Sequence, residues 1–573
     1  MKQIKIKFNN KPLLSKKFFL VNFIIICIIL FFVKTKSENF HYLFPNFKET
    51  NEIKELTPHL HTEDRIKIIN PESSIDPLAI IPENEVVVTL RAINFIGNTQ
   101  YTKEILSALL ADYIEKSHNL KALNELTNII TNHYRNNGFA FSRALLAPQD
   151  ITDGVLTIEI IEGRYGNIKV IGDQNYVDQA ELFLKKLKKG NIIQIANLTR
   201  VSLILENQPG FKTKPLLKPG QKEGTGDLEV SIERDKLYSG TTSLNNYGNY
   251  YTGSNLYNLN LNINHPFLFG DQLKLNMVYT EEDMWLGGVN YNLPLGISGL
   301  RAKVGYVESS YVLGQEFAAA KLSGTGKTIS AGLRYPLILS KKNNLSIENI
   351  YNHKIMNSLN NITETKNTTT SDSLNSIFNF STYDQLMGGG IIYGSFTYTY
   401  GKLTLPNSLR ATDSTTAKTE GHFDKFILRM NRIQKIRGKF TLFANISAQL
   451  AANNLNSSEK FSIGGPNEVR AYPAGEAYGD EGVLSKIELR YSANSKTNLY
   501  AFYDAAEINV NHTTWDSTNN KRVLEGQGIG LRFNTADIIF EASSAWRTKG
   551  TFSDNNQKKT PQIWLNIKYN FGG

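Results

Sequence analysis

From about Leu237 onward the chain is a succession of short segments in which apolar residues recur at every second position. Within residues 255–280, Tyr257, Leu259, Leu261 and Ile263 alternate with Asn258, Asn260, Asn262 and Asn264. Past a turn, Leu273, Leu275, Met277 and Tyr279 alternate with Lys274 and Asn276. Period two on both sides of a turn predicts a β-hairpin. Val483, Ile487, Leu489 and Tyr491 oppose Lys486, Glu488 and Arg490 in the same manner, and Ile563, Leu565, Ile567, Tyr569 and Phe571 oppose Asn566, Lys568 and Asn570. A soluble sandwich shows the same alternation. Here the polar faces carry charge, the segments run to about ten residues, and aromatics sit near their ends, as strands facing lipid require.

Alternation alone gives candidate strands near 237–246, 254–264, 272–281, 285–294, 299–311, 326–337, 344–355, 373–383, 386–401, 422–433, 438–450, 483–492, 498–508, 523–534, 536–547 and 561–571. They number sixteen, and an even count fits a single-chain outer-membrane barrel. Short links such as "SANSK" and long polar ones such as the Asn/Ser/Thr-rich residues 357–371 give the asymmetry of short periplasmic turns and long external loops. The Asn-x-Ser/Thr triplets there read as loop composition rather than glycosylation. The fold class predicted is a membrane β-barrel of about 16 antiparallel strands, occupying 237–573, with a smaller α/β portion before it.

The formal charge of +10 invites a nucleic-acid reading, but eight lysines and no acids lie between Met1 and Lys36, which leaves +2 for the remainder. No nucleic-acid partner is expected. Those lysines flank "FFLVNFIIICIILFFV", a basic segment and an apolar run in the order of a secretory signal, so 1–37 is taken as a leader. An uncleaved anchor is the alternative, although the run falls just short of the ~20 residues that span a bilayer. Cys27, the one cysteine, lies inside that run. A chain without its leader would have no thiol for disulfides or for catalysis.

Residues 85–163 read strand, helix, helix, strand, strand. The helical runs are marked by Ile105, Leu109 and Tyr113 and by Leu123, Leu126, Ile130 and Tyr134, with Asn137-Gly138 as a left-handed stop. Leu156, Ile158 and Ile160 face one way in "GVLTIEIIEG". The order recurs in 164–236 through "NIKVIGD", helical runs around Leu182 to Leu187 and Leu198 to Leu205, a Pro209-Gly210 turn and "DLEVSIE". Two tandem β-α-α-β-β units therefore precede the barrel.

In "INFIGNTQY", "HYRNNGFAFSRALLAPQDITDGVLTIEIIEGRYGNIKVIG", "NQPGFKTKPLLKPGQKEGTGDLEV" and "VRAY" the chain resembles the two-partner secretion transporters, also called haemolysin secretion/activation proteins, of the superfamily that joins POTRA domains to an outer-membrane barrel. The resemblance runs from about Val86 to the C-terminus. It implies two POTRA domains in the periplasm, a sixteen-stranded barrel in the outer membrane of a Gram-negative bacterium, and an N-terminal plug helix. Residues 38–84 are expected to supply that helix and a linker, with a disordered spacer as the alternative.

The stretch "GGPNEVRAYPAGEAYGDEG" belongs to a connection, 451–482, that is too long for an ordinary turn. In "NLYAFYDAAEI" the lipid-facing set is Leu499, Ala501, Tyr503 and Ala505, so Tyr500, Phe502 and Asp504 face the lumen. A carboxylate there needs a partner, and an arginine supplies a bidentate one. The expected geometry folds the loop inward, pairs Arg470 with Asp504, and packs Val469 and Tyr472 on the wall. The resemblance implies the same lock, matching Val469, Arg470 and Tyr472 on the loop to Phe502 and Asp504 on the strand. Ala471 stands where the family usually has glycine, and Ala506 where it often does. A solvated loop arginine is the bland alternative.

The resemblance implies, as partner, a secreted exoprotein of adhesin or haemolysin type with an N-terminal secretion domain. It is taken unfolded and threaded through the barrel without nucleotide. Outer-membrane lipid and the barrel assembly machinery are the other expected partners. No catalytic residues, cofactor or metal are expected: His59-x-His61 lacks further ligands at suitable spacing, and "GQGIG" at 526–530 reads as small residues in a crowded strand rather than a dinucleotide loop. The rival readings are an assembly factor for other barrels, disfavoured by only two POTRA-like units, and a passive porin, which needs none. The chain ends "YNFGG", so Phe571 is not terminal as it commonly is in outer-membrane barrels.

Overall fold

The computed structural model describes residues 67–68, 87–552 and 558–573. The leader, the His59-x-His61 pair and most of the expected plug and linker lie outside the described residues. Those described form two units, divided between Asp235 and Lys236.

The first unit holds both β-α-α-β-β repeats. The opening apolar stretch makes two strands, β2 (Val87–Thr89) and β3 (Ala92–Ile96), rather than one. The Leu90 amide donates to the Lys116 carbonyl and the Arg91 amide to that of Gly154, so the chain changes partners there. Strand β2 pairs with β4 (Ser117–Asn119), and β3 runs parallel to β6 (Val155–Ile161), which also pairs with β5 (Arg143–Leu145). Helix α1 spans Lys103–Leu109 and stops short of Tyr113, which falls in a separate 3-10 turn. Leu106 and Leu110 are its fully buried positions; of the expected set Leu109 and Tyr113 pack half-buried against the same core and Ile105 is exposed. Helix α2 (Leu120–Asn136) starts under an Asn119 cap, which accepts the Ala122 amide, and Gly138 beyond its end is left-handed at φ 88°. Leu123, Leu126, Ile130 and Tyr134 of α2 pack on Leu156, Ile158 and Ile160 of β6 as one core.

The second repeat runs β7 (Arg164–Gly172), α3 (Gln174–Leu184), α4 (Ile195–Glu206), β8 (Phe211–Pro219) and β9 (Thr225–Arg234). Leu187 lies past the end of α3, though it is buried. The sheet order is β1-β8-β9-β7, where β1 is Lys67–Ile68.

Glu162 holds the joint between the repeats. Its carboxylate, almost fully buried, accepts from the amides of Thr99 and Gln100, each at 2.7 Å, from the Tyr134 hydroxyl at 3.1 Å and from Arg164 at 2.9 Å. Arg164 also donates to the Gly190 carbonyl of the second repeat at 2.9 Å. Burial alone would push the Glu162 carboxyl up, but the donors from Thr99, Gln100 and Tyr134 outweigh it and hold the group below its usual range.

The second unit is a closed antiparallel barrel of sixteen strands. In order these are β10 (Tyr238–Asn245), β11 (Leu256–Asn264), β12 (Gln272–Thr280), β13 (Trp285–Pro294), β14 (Arg301–Val312), β15 (Leu322–Leu339), β16 (Asn343–Asn360) and β17 (Thr365–Asp384). There follow β18 (Gly390–Thr404), β19 (Gly421–Lys435), β20 (Phe440–Ala451), β23 (Glu481–Ser492), β24 (Thr497–Asn509), β25 (Lys521–Asn534), β26 (Ile538–Lys549) and β27 (Gln562–Gly572). Between β20 and β23 the inward loop carries its own two-stranded ladder, β21 (Phe461–Ser462) with β22 (Tyr478–Gly479). Closure by β10 on β27 removes both sheet edges, so every strand's backbone groups are paired where no water is available to bond them. The alternating apolar residues form the outer face: Leu259, Leu275, Ile329, Leu489, Leu499, Ile563 and Ile567 are all exposed.

Two expectations need correction here. Residues 357–371 do not form a loop; they complete β16 and open β17, with only a four-residue turn, 361–364, between them. At 20 residues β17 is about twice the length that spans a bilayer. Above the membrane neither face meets lipid, so the segment needs no apolar alternation, and its β-branched threonines favour strand. The ninth strand starts at Gly390, because 386–388 form a 3-10 turn. Gly572 continues β27 opposite Ser239, and a Cβ on it would stand 2.7 Å from the Tyr238 carbonyl oxygen, which accounts for glycine where the barrel closes.

Candidate functional site

The connection from Ala452 to Asp480 turns into the barrel and packs against the inner wall of β23 to β27. The β23–β24 pairing has no register shift and side chains alternate along it, so Glu488 and Arg490 of β23 and Tyr500, Phe502 and Asp504 of β24 share the inward face. Three glycines of β25 clear space beside them. A Cβ on Gly526 would come within 2.4 Å of the Ala471 methyl, one on Gly528 within 2.3 Å of the Phe502 ring, and one on Gly530 within 2.2 Å of the Tyr500 ring. The "GQGIG" run is a recess shaped to the loop tip.

Arg470 sits at the centre of that recess and is 5% exposed. Asp504 Oδ2 accepts from the Arg470 backbone amide at 3.1 Å and from Nε at 2.8 Å, and Oδ1 accepts from Nη2 at 2.7 Å. Nη1 donates to Glu488 at 2.6 Å, and the guanidinium lies 3.5 Å from the Phe502 ring centre, a cation–π distance. The Arg470 carbonyl accepts from Trp564 Nε1 at 2.7 Å. Val469 and Tyr472 are fully buried, and the Tyr472 hydroxyl donates to the Lys549 carbonyl at 2.6 Å. The loop's Ile463, Val469, Ala471 and Tyr472 form one apolar cluster with Leu484, Phe502, Ala506 and Leu524 of the wall.

All five residues singled out from sequence thus meet at one place. Three others were not: Glu488, Arg532 and Trp564. Glu488 binds Arg470, Arg490 at 2.7 Å and Arg532 at 3.1 Å; Arg532 in turn binds Glu541 at 2.9 Å and lies over the Tyr500 ring at 4.1 Å. Arg470, Arg490 and Arg532 against Asp504, Glu488 and Glu541 balance in charge, which lets Arg470, Asp504 and Glu488 be buried while Arg490, Arg532 and Glu541 stay half-buried around them. Alternation alone puts Glu488 and Arg490 in the lumen, but their partners come from strands that only barrel closure brings near.

Among the described residues no group of side chains is arranged to hold a metal ion, and no helix is long and apolar enough to cross a membrane, which says nothing of crossing by strands. A closed barrel with an apolar outer band, a pinned inward loop and two preceding β-α-α-β-β repeats defines an outer-membrane transporter of the POTRA-plus-barrel class.

Residues 224–533 match the model of the haemolysin secretion/activation protein ShlB/FhaC/HecB family, and residues 88–163 that of the ShlB-type POTRA domain. The chain belongs to this family: it is an outer-membrane two-partner secretion transporter with periplasmic POTRA domains, and it carries a secreted exoprotein. It is 26% identical to the heme/hemopexin transporter protein HuxB of Haemophilus influenzae (strain 86-028NP) over 82% of this chain and 85% of that protein. It is 23% identical to the outer membrane transporter CdiB of Dickeya dadantii (strain 3937) over 80% and 82%. The solved structure of CdiB from Escherichia coli has the same fold, with a TM-score of 0.71 over 88% of this chain and 93% of that one at 18% identity.

Proposed function

We propose that Val469, Arg470, Tyr472, Phe502 and Asp504 are a loop-to-barrel lock that holds the pore in its secretion-competent form, and that the client passes the locked loop as an unfolded chain. The observation that carries this reading is the burial of Arg470 between Asp504 and Glu488 in the barrel lumen. A charge is placed there only at the cost of its hydration, so the arrangement holds the loop in one position while the rest of the lumen is left to the client.

The client is recognised by an N-terminal secretion domain on two POTRA units, 85–163 and 164–236. Their sheets end in edge strands, to which an extended segment adds by backbone hydrogen bonds that tolerate varied side chains. Folding of the client outside the cell drives export, since the periplasm offers no nucleotide. The chain performs no catalysis. Its outer face meets outer-membrane lipid, and the barrel assembly machinery inserts it. Residues 1–37 are removed as a leader, and 38–84 form the plug and linker.

The test expresses the full chain and a variant lacking 85–234 beside an exoprotein encoded next to it, and measures client in the medium and in the periplasm. Loss of export from a variant whose barrel is assembled supports client recognition by the two units. Undiminished export overturns it.

A further inference from the structure

The inward loop is held at a second place, eleven residues before Arg470. Glu459, in the 3-10 turn Ser457–Glu459 at the base of the loop, is 6% exposed. Its carboxylate binds Lys354 of β16 at 2.5 Å and Lys425 of β19 at 2.8 Å. Its carbonyl accepts from Lys425 at 2.8 Å and from Gln449 of β20 at 3.0 Å. The following residue continues the attachment on another side: Lys460 binds the fully buried Asp480 at 2.7 Å and donates to the Val510 carbonyl at 2.6 Å. Gln449 also donates to the Asp480 carbonyl at 3.0 Å, so the two ends of the loop share one wall residue.

These strands differ from those that hold the tip. Arg470 is bound by β23, β24 and β27, whereas Glu459 is bound by β16, β19 and β20. Lys354 lies six residues from the end of β16 that precedes the turn at 361–364, and Lys425 four residues after the start of β19 that follows the loop bearing Asn407–Thr415. Both are therefore at the same end of the barrel as the entry and exit of the inward loop. The charges are also arranged differently. The tip network is neutral, but Glu459 is a single carboxylate facing two lysines, one of them buried. Removing that carboxylate leaves Lys425 without its counter-charge, in a place where water does not readily replace it.

We propose that Glu459 is a positioning residue that anchors the base of the inward loop to β16, β19 and β20, independently of the Arg470 lock. The loop is then a hairpin fastened at both depths: the tip is seated by one set of strands and the base by another, so the base stays fixed whether or not the tip is seated. The prediction is separability, and it depends on no client.

The experiment uses the full chain assembled in outer membranes, with Cys27 replaced by serine and one of two reporter cysteines. Ser462→Cys lies in the half-buried ladder near the base, and Ala474→Cys lies in the half-buried stretch just past the tip. Maleimide labelling rates are compared in Glu459→Gln, Glu459→Asp and Lys354→Gln backgrounds. Glu459→Gln is expected to raise labelling at position 462 by about tenfold or more, the size that follows when a buried charge loses its partner, with little change at position 474. Glu459→Asp should bring the rate back most of the way, and Lys354→Gln, which leaves the Lys425 pair, should give a smaller rise of the same kind; it also serves if Glu459→Gln does not assemble. An unchanged rate at 462, or equal rises at 462 and 474, overturns the proposal, the first because Glu459 holds nothing and the second because base and tip are then one lock.

Discussion

Asp504 engages Arg470 through both the side chain and the backbone: one carboxylate oxygen accepts from the Arg470 amide and Nε, and the other from Nη2. The pair therefore fixes the direction of the loop as well as its charge. A lysine at 470 would offer a point charge without the planar fork and would leave Asp504 or Glu488 short of a donor. Arg470→Ala should cost about 3–5 kcal/mol of barrel stability, because it strands the buried Asp504 carboxylate, whereas Glu488 keeps Arg490 and Arg532. Thermal unfolding of the purified full chain in detergent, with Asp504→Asn and the double variant completing the cycle, measures this.

The Ala471 methyl and Gly526 form a matched pair. Adding a Cβ at 526 brings it within 2.4 Å of that methyl. Gly526→Ala should unseat the tip and raise cysteine labelling there, and Ala471→Gly in the same chain should restore it. Failure of the second change to compensate would show that the recess is not shaped by that contact.

Glu162 makes the joint between the two repeats sensitive to acid. Its carboxyl is held below the usual range when folded, so its contribution is fully present above the unfolded value and is lost as pH falls through the folded one. Exchange protection of the Thr99 and Gln100 amides, corrected for intrinsic rate, should therefore be steady near neutrality and collapse in acid. In Glu162→Gln it should be low throughout.

Gly572 closes the barrel against Tyr238. Gly572→Val places side-chain atoms against a backbone carbonyl that has nowhere to move. It should lower the fraction of chain that reaches the compact, heat-modifiable form in membranes, whereas Gly573→Val, whose nearest neighbour is the Tyr238 side chain, should be milder.

The barrel was legible because its environment imposes one rule on every strand: residues facing lipid must be apolar and their neighbours need not be. Where that rule lapses the sequence reads poorly. Thr365 to Ser371 lie in a strand above the membrane, with no apolar face to mark them. In helix α1 Leu109 does pack on the core, but Ile105 is exposed and Leu106 and Leu110 take the fully buried positions, because both pairs carry the same spacing and only packing on α2 and the sheet chooses between them. Arg470, Phe502 and Asp504 were found from the one long loop and the one inward carboxylate nearest to it. Glu488, Arg532, Trp564 and Glu459 were not, since each acquires its role from strands distant in sequence. Periodicity tells which way a side chain points and leaves open what it meets.

The most direct measurement is export of the exoprotein by chains in which the two central charges are reversed and then exchanged. Arg470→Asp and Asp504→Arg should each abolish appearance of the client in the medium while the barrel remains assembled. The double variant should restore part of it, with Glu488 beside position 470 keeping the recovery incomplete. Export undiminished by either single reversal, or no recovery from a well-assembled double variant, would contradict a direct lock between these residues.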